Sequence, residues 1–291
     1  SKINLEKNFD VIIIGAGASG LICGISAAKR GRRVLILERN KRPGKKILIS
    51  GGGKCNFTNI SLSPDNYLCS NPHFVKSALA RFTQWNFIEL VSLYNIHYEE
   101  RKQGQLFSGK GANEILTLLL RECQTHSVNI LNDCKINRLY KSHRFVIEST
   151  TGIFQSESLV IATGGISWPK SGVTDFGFQT GEKFGHSLIP PKPGLVPLRF
   201  SKKQRKSWSD LAGVSRTVTI TFKNHSFREE LLFTHTGISG PAVLQISNYW
   251  QSGQPLEINF LPNNSIELIL EASRSRQLLK NILKEFIPEA L

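Results

Sequence analysis

Residues 11–20 read Val-Ile-Ile-Ile-Gly-Ala-Gly-Ala-Ser-Gly, and this stretch decides the fold. Four apolar, mostly β-branched residues predict a buried strand. The strand runs straight into Gly15, Gly17 and Gly20, spaced as in the dinucleotide-binding fingerprint. In that pattern Gly15 permits a tight turn, Gly17 leaves room for a pyrophosphate to approach the backbone, and Gly20 lets the next helix pack close on the strand. Ala18 and Ser19 stand between these glycines, where a helix N-terminus offers N–H groups and a positive dipole end to phosphates.

Moving outward, Leu21 to Arg30 predicts a helix with Leu21, Ile25 and Ala28 on one face. Gly31 suits its stop, with Lys29 and Arg30 in the last turn. Val34–Leu37 predicts a second buried strand, ending at Glu38, which lies 38 − 20 = 18 positions after the last fingerprint glycine. A carboxylate there accepts from a ribose 2′-hydroxyl and repels a 2′-phosphate. Arg39 follows it. The competing reading is a plain βαβ unit with a surface glutamate. The joint presence of strand, glycines, helix and acid favours the cofactor site.

The chain has 291 residues, 40% hydrophobic and 20% charged, an ordinary globular composition. No apolar run approaches the ~20 residues needed to span a bilayer. The first eight residues lack the hydrophobic core of a secretory signal, so a cytoplasmic location without membrane insertion is the default expectation. Cys23, Cys55, Cys69, Cys123 and Cys134 form no Cys-x-x-Cys pair, which argues against a zinc site or a disulfide framework. The formal net charge is +15, with basic clusters at Lys29–Arg33, Arg39–Lys46 and Lys202–Lys206. The first two flank the predicted cofactor site and favour a dianionic pyrophosphate. The third reads as a loop bearing a solvated charge run. No RNA-binding signature accompanies it, and contact with nucleic acid stays open as the alternative.

Residues 42–59 are rich in glycine, lysine and small polar residues around Lys45, Lys46, Gly51, Gly52, Gly53, Lys54, Cys55 and Asn56. Three consecutive glycines cost folding entropy, and here they suggest close backbone approach to a flat ring or a phosphate. The competing reading is a flexible loop. Residues 73–95 show helical spacing, and Phe74, Ala78, Leu79, Phe82, Trp85, Phe87, Leu90 and Leu93 are expected in the core. A further helix is predicted at 115–123. Strands predicted at 128–131, 135–140, 144–149 and 152–156 suggest an antiparallel meander. Residues 158–161 then predict a buried strand that ends in Thr163, Gly164 and Gly165. In an open parallel sheet these would lie on the same rim as Gly15–Gly20; a plain strand-to-turn transition is the competing reading.

Pro190, Pro191 and Pro193 predict a domain boundary. β-favouring stretches follow at 196–200, 216–222, 226–232 and 256–260, and a helical pattern runs from Ser265. The expected architecture is α/β: a Rossmann-like domain over 1–189 with a β-meander at about 128–156, a β-rich domain over 190–264, and the beginning of a helical domain over 265–291.

Taken together, these motifs resemble the bacterial flavoproteins of the YhiN/BaiN type, NAD(P)/FAD-dependent oxidoreductases that include aminoacetone oxidases and bile-acid-pathway reductases. The resemblance rests on residues 15–20, 46–59, 162–165, 184–186, 195–198 and 232–241. It implies FAD held by an N-terminal sheet domain of the glutathione-reductase type, with an inserted β-rich domain and then a helical one. It assigns Glu38 to the adenosine ribose and the first glycine turn to the pyrophosphate. Lys46 through Asn56 would serve the flavin half, and a backbone edge near Lys135 would meet the adenine. The family pattern runs on to a Gly-Gly-Tyr-Asn segment over the ribityl chain and ring. Here paired glycines stand only at 51–53 and 164–165, and 174–177 read Thr-Asp-Phe-Gly where many relatives carry Gly-Asp-Gly.

The resemblance therefore implies a flavin-dependent oxidoreductase acting on a small or steroid-like organic substrate. The alternative is a shortened, non-catalytic flavoprotein serving as a binding module, with nucleic acid at Lys202–Lys206. NAD(P)H would visit the flavin face directly as a transient reductant. Gly109-Lys-Gly-Ala-Asn-Glu114 lacks the third glycine and the preceding strand of a second nucleotide site. Two residues are candidates for catalysis. Cys55 would be reactive if Lys54 and Lys46 lowered its pKa, and His235 would exchange a proton near substrate. A packing role for the first and a turn role for the second are the competing readings.

Overall fold

The computed structural model describes residues 7–167, 174–263 and 270. The chain divides into two compact units between Leu188 and Ile189.

In the first unit, β1 (Asn8–Ile14), α1 (Ala18–Ala28) and β2 (Val34–Leu37) form the βαβ core. Then come α2 (Lys45–Ile49), a 3-10 turn (Ser50–Gly53), β3 (Asn56–Asn59), α3 (Lys76–Arg81), α4 (Gln84–Leu93), β4 (Tyr98–Glu100), β5 (Gln105–Ser108) and α5 (Ala112–Thr125). The unit closes with β6 (Asn129–Leu131), β7 (Ile136–Lys141), β8 (Phe145–Ser149), β9 (Gly152–Ile161) and α6 (Phe176–Lys183). Six strands form one sheet in the order β6-β2-β1-β9-β8-β7. Both faces of its central strands are covered, which is why β1 and β2 read as continuous apolar runs. Ile13 and Ile36 pack with Leu21 and Ile25 of α1 and Ile115 and Leu119 of α5. Ile12, Ile14, Leu35 and Leu37 face the opposite way, toward Leu139, Ile147 and Phe154.

The strand expectations need two corrections. β6 does not belong to the antiparallel meander; it pairs parallel with β2. The segments 152–156 and 158–161 are one continuous strand, β9, antiparallel to β8 and parallel to β1. Ser156 and Ser158 look like a break in the sequence. They are instead register partners of Phe9 and Val11, and Ser156 is fully buried.

Residues 73–95 form two helices. Thr83 starts the second with a capping box: its Oγ1 accepts the Asn86 N–H, and Asn86 Oδ1 accepts the Thr83 N–H. The cap sets a helical phase that buries Ile88 and Val91. Phe74, Ala78, Phe82, Trp85 and Leu93, expected in the core, are exposed. The glycine-rich segment is an ordered helix, turn and strand rather than a flexible loop. Its β3 joins a small antiparallel sheet, β3-β5-β4.

Glu122 of α5 ties three helix ends together. The Tyr94 hydroxyl donates to its Oε1 at 2.8 Å, Lys29 Nζ lies 3.2 Å from Oε2, and His126 Nε2 lies 3.7 Å from the same oxygen. Burial is the largest single influence on this carboxyl and pushes it upward. Tyr94, Lys29 and His126 together outweigh burial and hold it below its ordinary value. A depressed native carboxyl contributes stability that is fully present above the unfolded-state value and is lost as pH falls through the native one. Glu122→Gln is therefore expected to cost about 1–2 kcal/mol at neutral pH: the amide oxygen still accepts from Tyr94 but without the charge, and the amide nitrogen faces Lys29, whose half-exposed ion pair adds little. Urea unfolding between neutral and acid pH checks this; the difference from wild type should shrink toward low pH.

The second unit holds β10 (Leu198–Arg199), α7 (Lys202–Trp208), β11 (Ser215–Phe222), β12 (His225–Thr234), β13 (Gly237–Ser239), α8 (Pro241–Ile246) and β14 (Glu257–Asn259). Its sheet is antiparallel, in the order β10-β13-β12-β11-β14. Strict alternation buries Val218, Ile220 and Phe222 of β11 with Leu231 and Phe233 of β12, under Ala242, Val243 and Ile246 of α8. The basic run at 202–206 is helical, not a loop. The predicted helical pattern over 265–291 lies, Leu270 apart, outside the described residues. Among the described residues, no helix is long and apolar enough to cross a membrane.

Candidate functional site: the glycine rim of the parallel sheet

Beyond the carboxyl ends of β1, β2 and β9, backbone meets backbone. Gly15 has φ +107°, and a Cβ there would strike the Ala162 carbonyl at the end of β9. A Cβ on Gly20 would strike the carbonyl of Gly15. Only glycines allow α1 to start this close to the strand ends. Gly17 is different, since nothing lies within 4 Å of a Cβ placed on it. It caps α1 in an extended conformation, and no side chain caps this helix end. Ala18 and Ser19, the first residues of α1, are exposed, and a helix N-terminus without a side-chain cap suits an anion.

Glu38 closes one side of this rim and is only 7% exposed. Its Oε2 accepts the Ala16 N–H at 2.8 Å, and its Oε1 accepts both the backbone and side-chain N–H of Asn40 at 2.8 Å. A carboxylate offers about four acceptor directions, so these three donors leave one for a ribose hydroxyl. Glu38 is thus first a clamp between β2 and the glycine loop. Sequence reasoning missed both the clamp and its partner Asn40, because no spacing rule announces them.

Lys46 reaches the other side. Its Nζ donates to the Gly165 carbonyl at 2.8 Å and to Ser167 Oγ at 3.2 Å. This joins α2 to the Thr163–Gly164–Gly165 turn after β9. Thr163 packs on Gly177 of α6, where a Cβ would lie 2.6 Å from its Oγ1. Gly51, Gly52 and Gly53 are consecutive left-handed residues, with φ of +54°, +66° and +86°. Gly51 is pressed on Asn56 and Phe107, whereas Gly52 faces open space. Arg39, Lys45 and Asn56 are exposed.

Two expectations change here. Cys55 is buried, and burial pushes its thiol up more strongly than the Ser50 hydrogen bond lowers it. The condition for a reactive thiolate is therefore not met. At Lys135 the N–H donates to Thr150 Oγ1 at 3.1 Å and the carbonyl accepts the Thr150 N–H at 2.9 Å. The segment 109–114 does follow a strand, β5, yet Glu114 fills it, accepting from the Lys110 N–H and the Ser108 hydroxyl. A carboxylate in that position repels a phosphate. His235 lies in the second unit, exposed on the turn from β12 to β13.

The rim therefore offers an open helix N-terminus, one remaining carboxylate acceptor and a lysine-bridged small-residue turn, the donor set of a dinucleotide cradle. Residues 9–245 match the HI0933-like protein Rossmann domain family. The chain is 46% identical to the ribosomal RNA dihydrouridine synthase of Haemophilus influenzae, over 96% of this chain and 72% of that protein. It is equally identical to the Escherichia coli protein of the same name, over 98% and 72%. The 3-dehydro-bile acid delta(4,6)-reductase of Clostridium scindens is 28% identical, over 91% of this chain and 66% of that protein. With its fingerprint glycines, Glu38 and the β9 turn on one rim, the chain belongs to the HI0933-like family of Rossmann flavoproteins.

Proposed function

We propose that this chain binds FAD along the glycine rim of its first unit and reduces the C5–C6 double bond of uridine in ribosomal RNA, with NAD(P)H as the source of electrons. The observation that carries the reading is 46% identity over nearly the whole chain to two ribosomal RNA dihydrouridine synthases. The rim fits the cofactor: the space over Gly17 accepts a pyrophosphate, and Glu38 keeps one acceptor for a ribose.

When bound, flavin supplies hydride transfer. The chain's own residues do the rest. The α1 N-terminus would hold the diphosphate and Glu38 would accept from the ribose, while Lys46, bonded to the Gly165 carbonyl and Ser167, fixes the turn after β9. In uridine the double bond is conjugated to the C4 carbonyl, so hydride enters at C6 and a proton at C5. The overall balance is uridine plus NAD(P)H plus one proton to dihydrouridine and NAD(P)+.

The test is an absorption spectrum and mass analysis of the released chromophore, followed by incubation with NADH or NADPH and unmodified ribosomal RNA. Nucleoside mass spectrometry should then find uridine carrying two added hydrogens. Flavin that is reduced while RNA stays unchanged would remove the RNA substrate and leave the oxidoreductase. Failure to hold FAD under any condition would remove both and favour a binding module.

A further inference from the structure

We infer that α7 is the surface through which this protein grips the phosphodiester backbone of RNA. The inference rests on the proposed function for the kind of nucleic acid and adds where the contact is made.

α7 carries Lys202, Lys203, Arg205 and Lys206 and no acid. All four are exposed, as is Arg199 on the edge strand β10 three residues earlier. None of the five has an acidic partner among the described residues. Like charges recur at i, i+3 and i, i+4 along this short helix, and Lys202 and Lys203 stand in its first turn, against the helix dipole. A seven-residue helix is marginal even without that repulsion.

Two devices hold it in place. Ser201 and Gln204 form a reciprocal cap: Gln204 Oε1 accepts the Ser201 N–H, and Ser201 Oγ accepts the Gln204 N–H. At the other end the Trp208 ring packs edge-on against Phe200, centroids 5.3 Å apart, and against Phe233 at 6.4 Å. The fold thus spends a cap and an aromatic anchor to display four mutually repelling cations: Lys202 and Lys203 oppose the dipole, while Arg205 and Lys206 stand in the last turn, where it favours them. A cluster of like charges held on a short helix without an acidic partner is the kind of local conflict found at functional surfaces.

The chemistry points to phosphates rather than bases. Lysine is a point charge without the planar fork that reads base edges, and three of the four cations on α7 are lysines. The one aromatic ring on the helix is committed to its anchor, so it is no platform for stacking a base. The surface therefore positions RNA without reading its sequence.

The test uses the full chain with Lys202→Glu, Lys203→Glu, Arg205→Glu and Lys206→Glu combined, alongside the matching set of four changes to Gln. Binding to a ribosomal RNA fragment is measured against salt concentration. Each phosphate contact contributes about 0.7–0.9 to the slope of log K on log salt. The Glu set is expected to weaken binding at least about tenfold and to lower the slope by about 3. The Gln set should show most of the same loss, with flavin content and thermal unfolding as in wild type. If the Glu set misfolds, the Gln set decides. Unchanged affinity and slope in a folded variant overturns the inference, as does a wild-type chain that binds no RNA. Wild-type RNA binding that is lost with α7, but without any dihydrouridine formed, sinks the proposed reaction and leaves this surface standing.

Discussion

Gly17→Ala should lose flavin affinity by about tenfold or more, roughly 1.4 kcal/mol, while the flavin-free protein unfolds within about 1 kcal/mol of wild type. The added methyl meets no protein atom within 4 Å, and the backbone at Gly17 is extended, open to any residue. Alanine is a poorer helix cap than glycine, but it also reduces the freedom of the unfolded chain, and the two effects largely offset each other. What the methyl does meet is the space assigned to the diphosphate. Gly20→Ala makes the contrast. Its methyl would land on the Gly15 carbonyl, where both sides are backbone and neither can turn away. That change should cost about 3 kcal/mol of stability and flavin binding as well. Urea unfolding of the flavin-free proteins, read beside flavin fluorescence titrations, separates the two. A Gly17→Ala protein that holds flavin as tightly as wild type would show that the gap is not where the dinucleotide lies.

The second large effect belongs to Glu38→Ala. Removing the carboxylate strips the Ala16 N–H and both Asn40 donors of their acceptor. Hydrogen bonds to a buried charge are worth about 1.5–3 kcal/mol each, and they are not additive here because one group makes all three. A loss of about 4 kcal/mol is expected in the flavin-free protein, with a further drop in flavin affinity. Glu38→Gln keeps one oxygen, which serves Ala16 or Asn40 but not both, and its amide nitrogen faces a donor. Its cost should fall between wild type and alanine. Denaturation with and without flavin distinguishes the roles. If Glu38→Ala weakens flavin binding alone and leaves the free protein as stable as before, the clamp is not structural and the ribose contact is the whole role.

The βαβ core was legible because burial on both sheet faces forces continuous apolar strands, and the glycine spacing reports a backbone collision that no side chain permits. What escaped reading depends on partners far away in sequence. The N–H of Lys135 is taken by Thr150, and Asn40 completes Glu38 through donors that no local pattern marks. Polar residues misled twice. Buried Ser156 disguised one strand as two, and the charge of residues 202–206 hid a helix whose cap, Ser201 with Gln204, was present in the sequence. Along 73–95 the apolar period was visible, but Thr83 restarts the helix and turns Trp85 and Leu93 outward.

Because β9 serves two masters, the hairpin side of the molecule is geared to the cofactor side. The strand whose first five residues zip onto β8 runs on beside β1 and carries the chain to Ala162, whose oxygen fences Gly15. Adding or deleting a single residue between Gly152 and Ser156 would reverse the in–out parity of every position after it. The lesion would sit at the far end of the strand, yet the seam against the first glycine would be where it is felt.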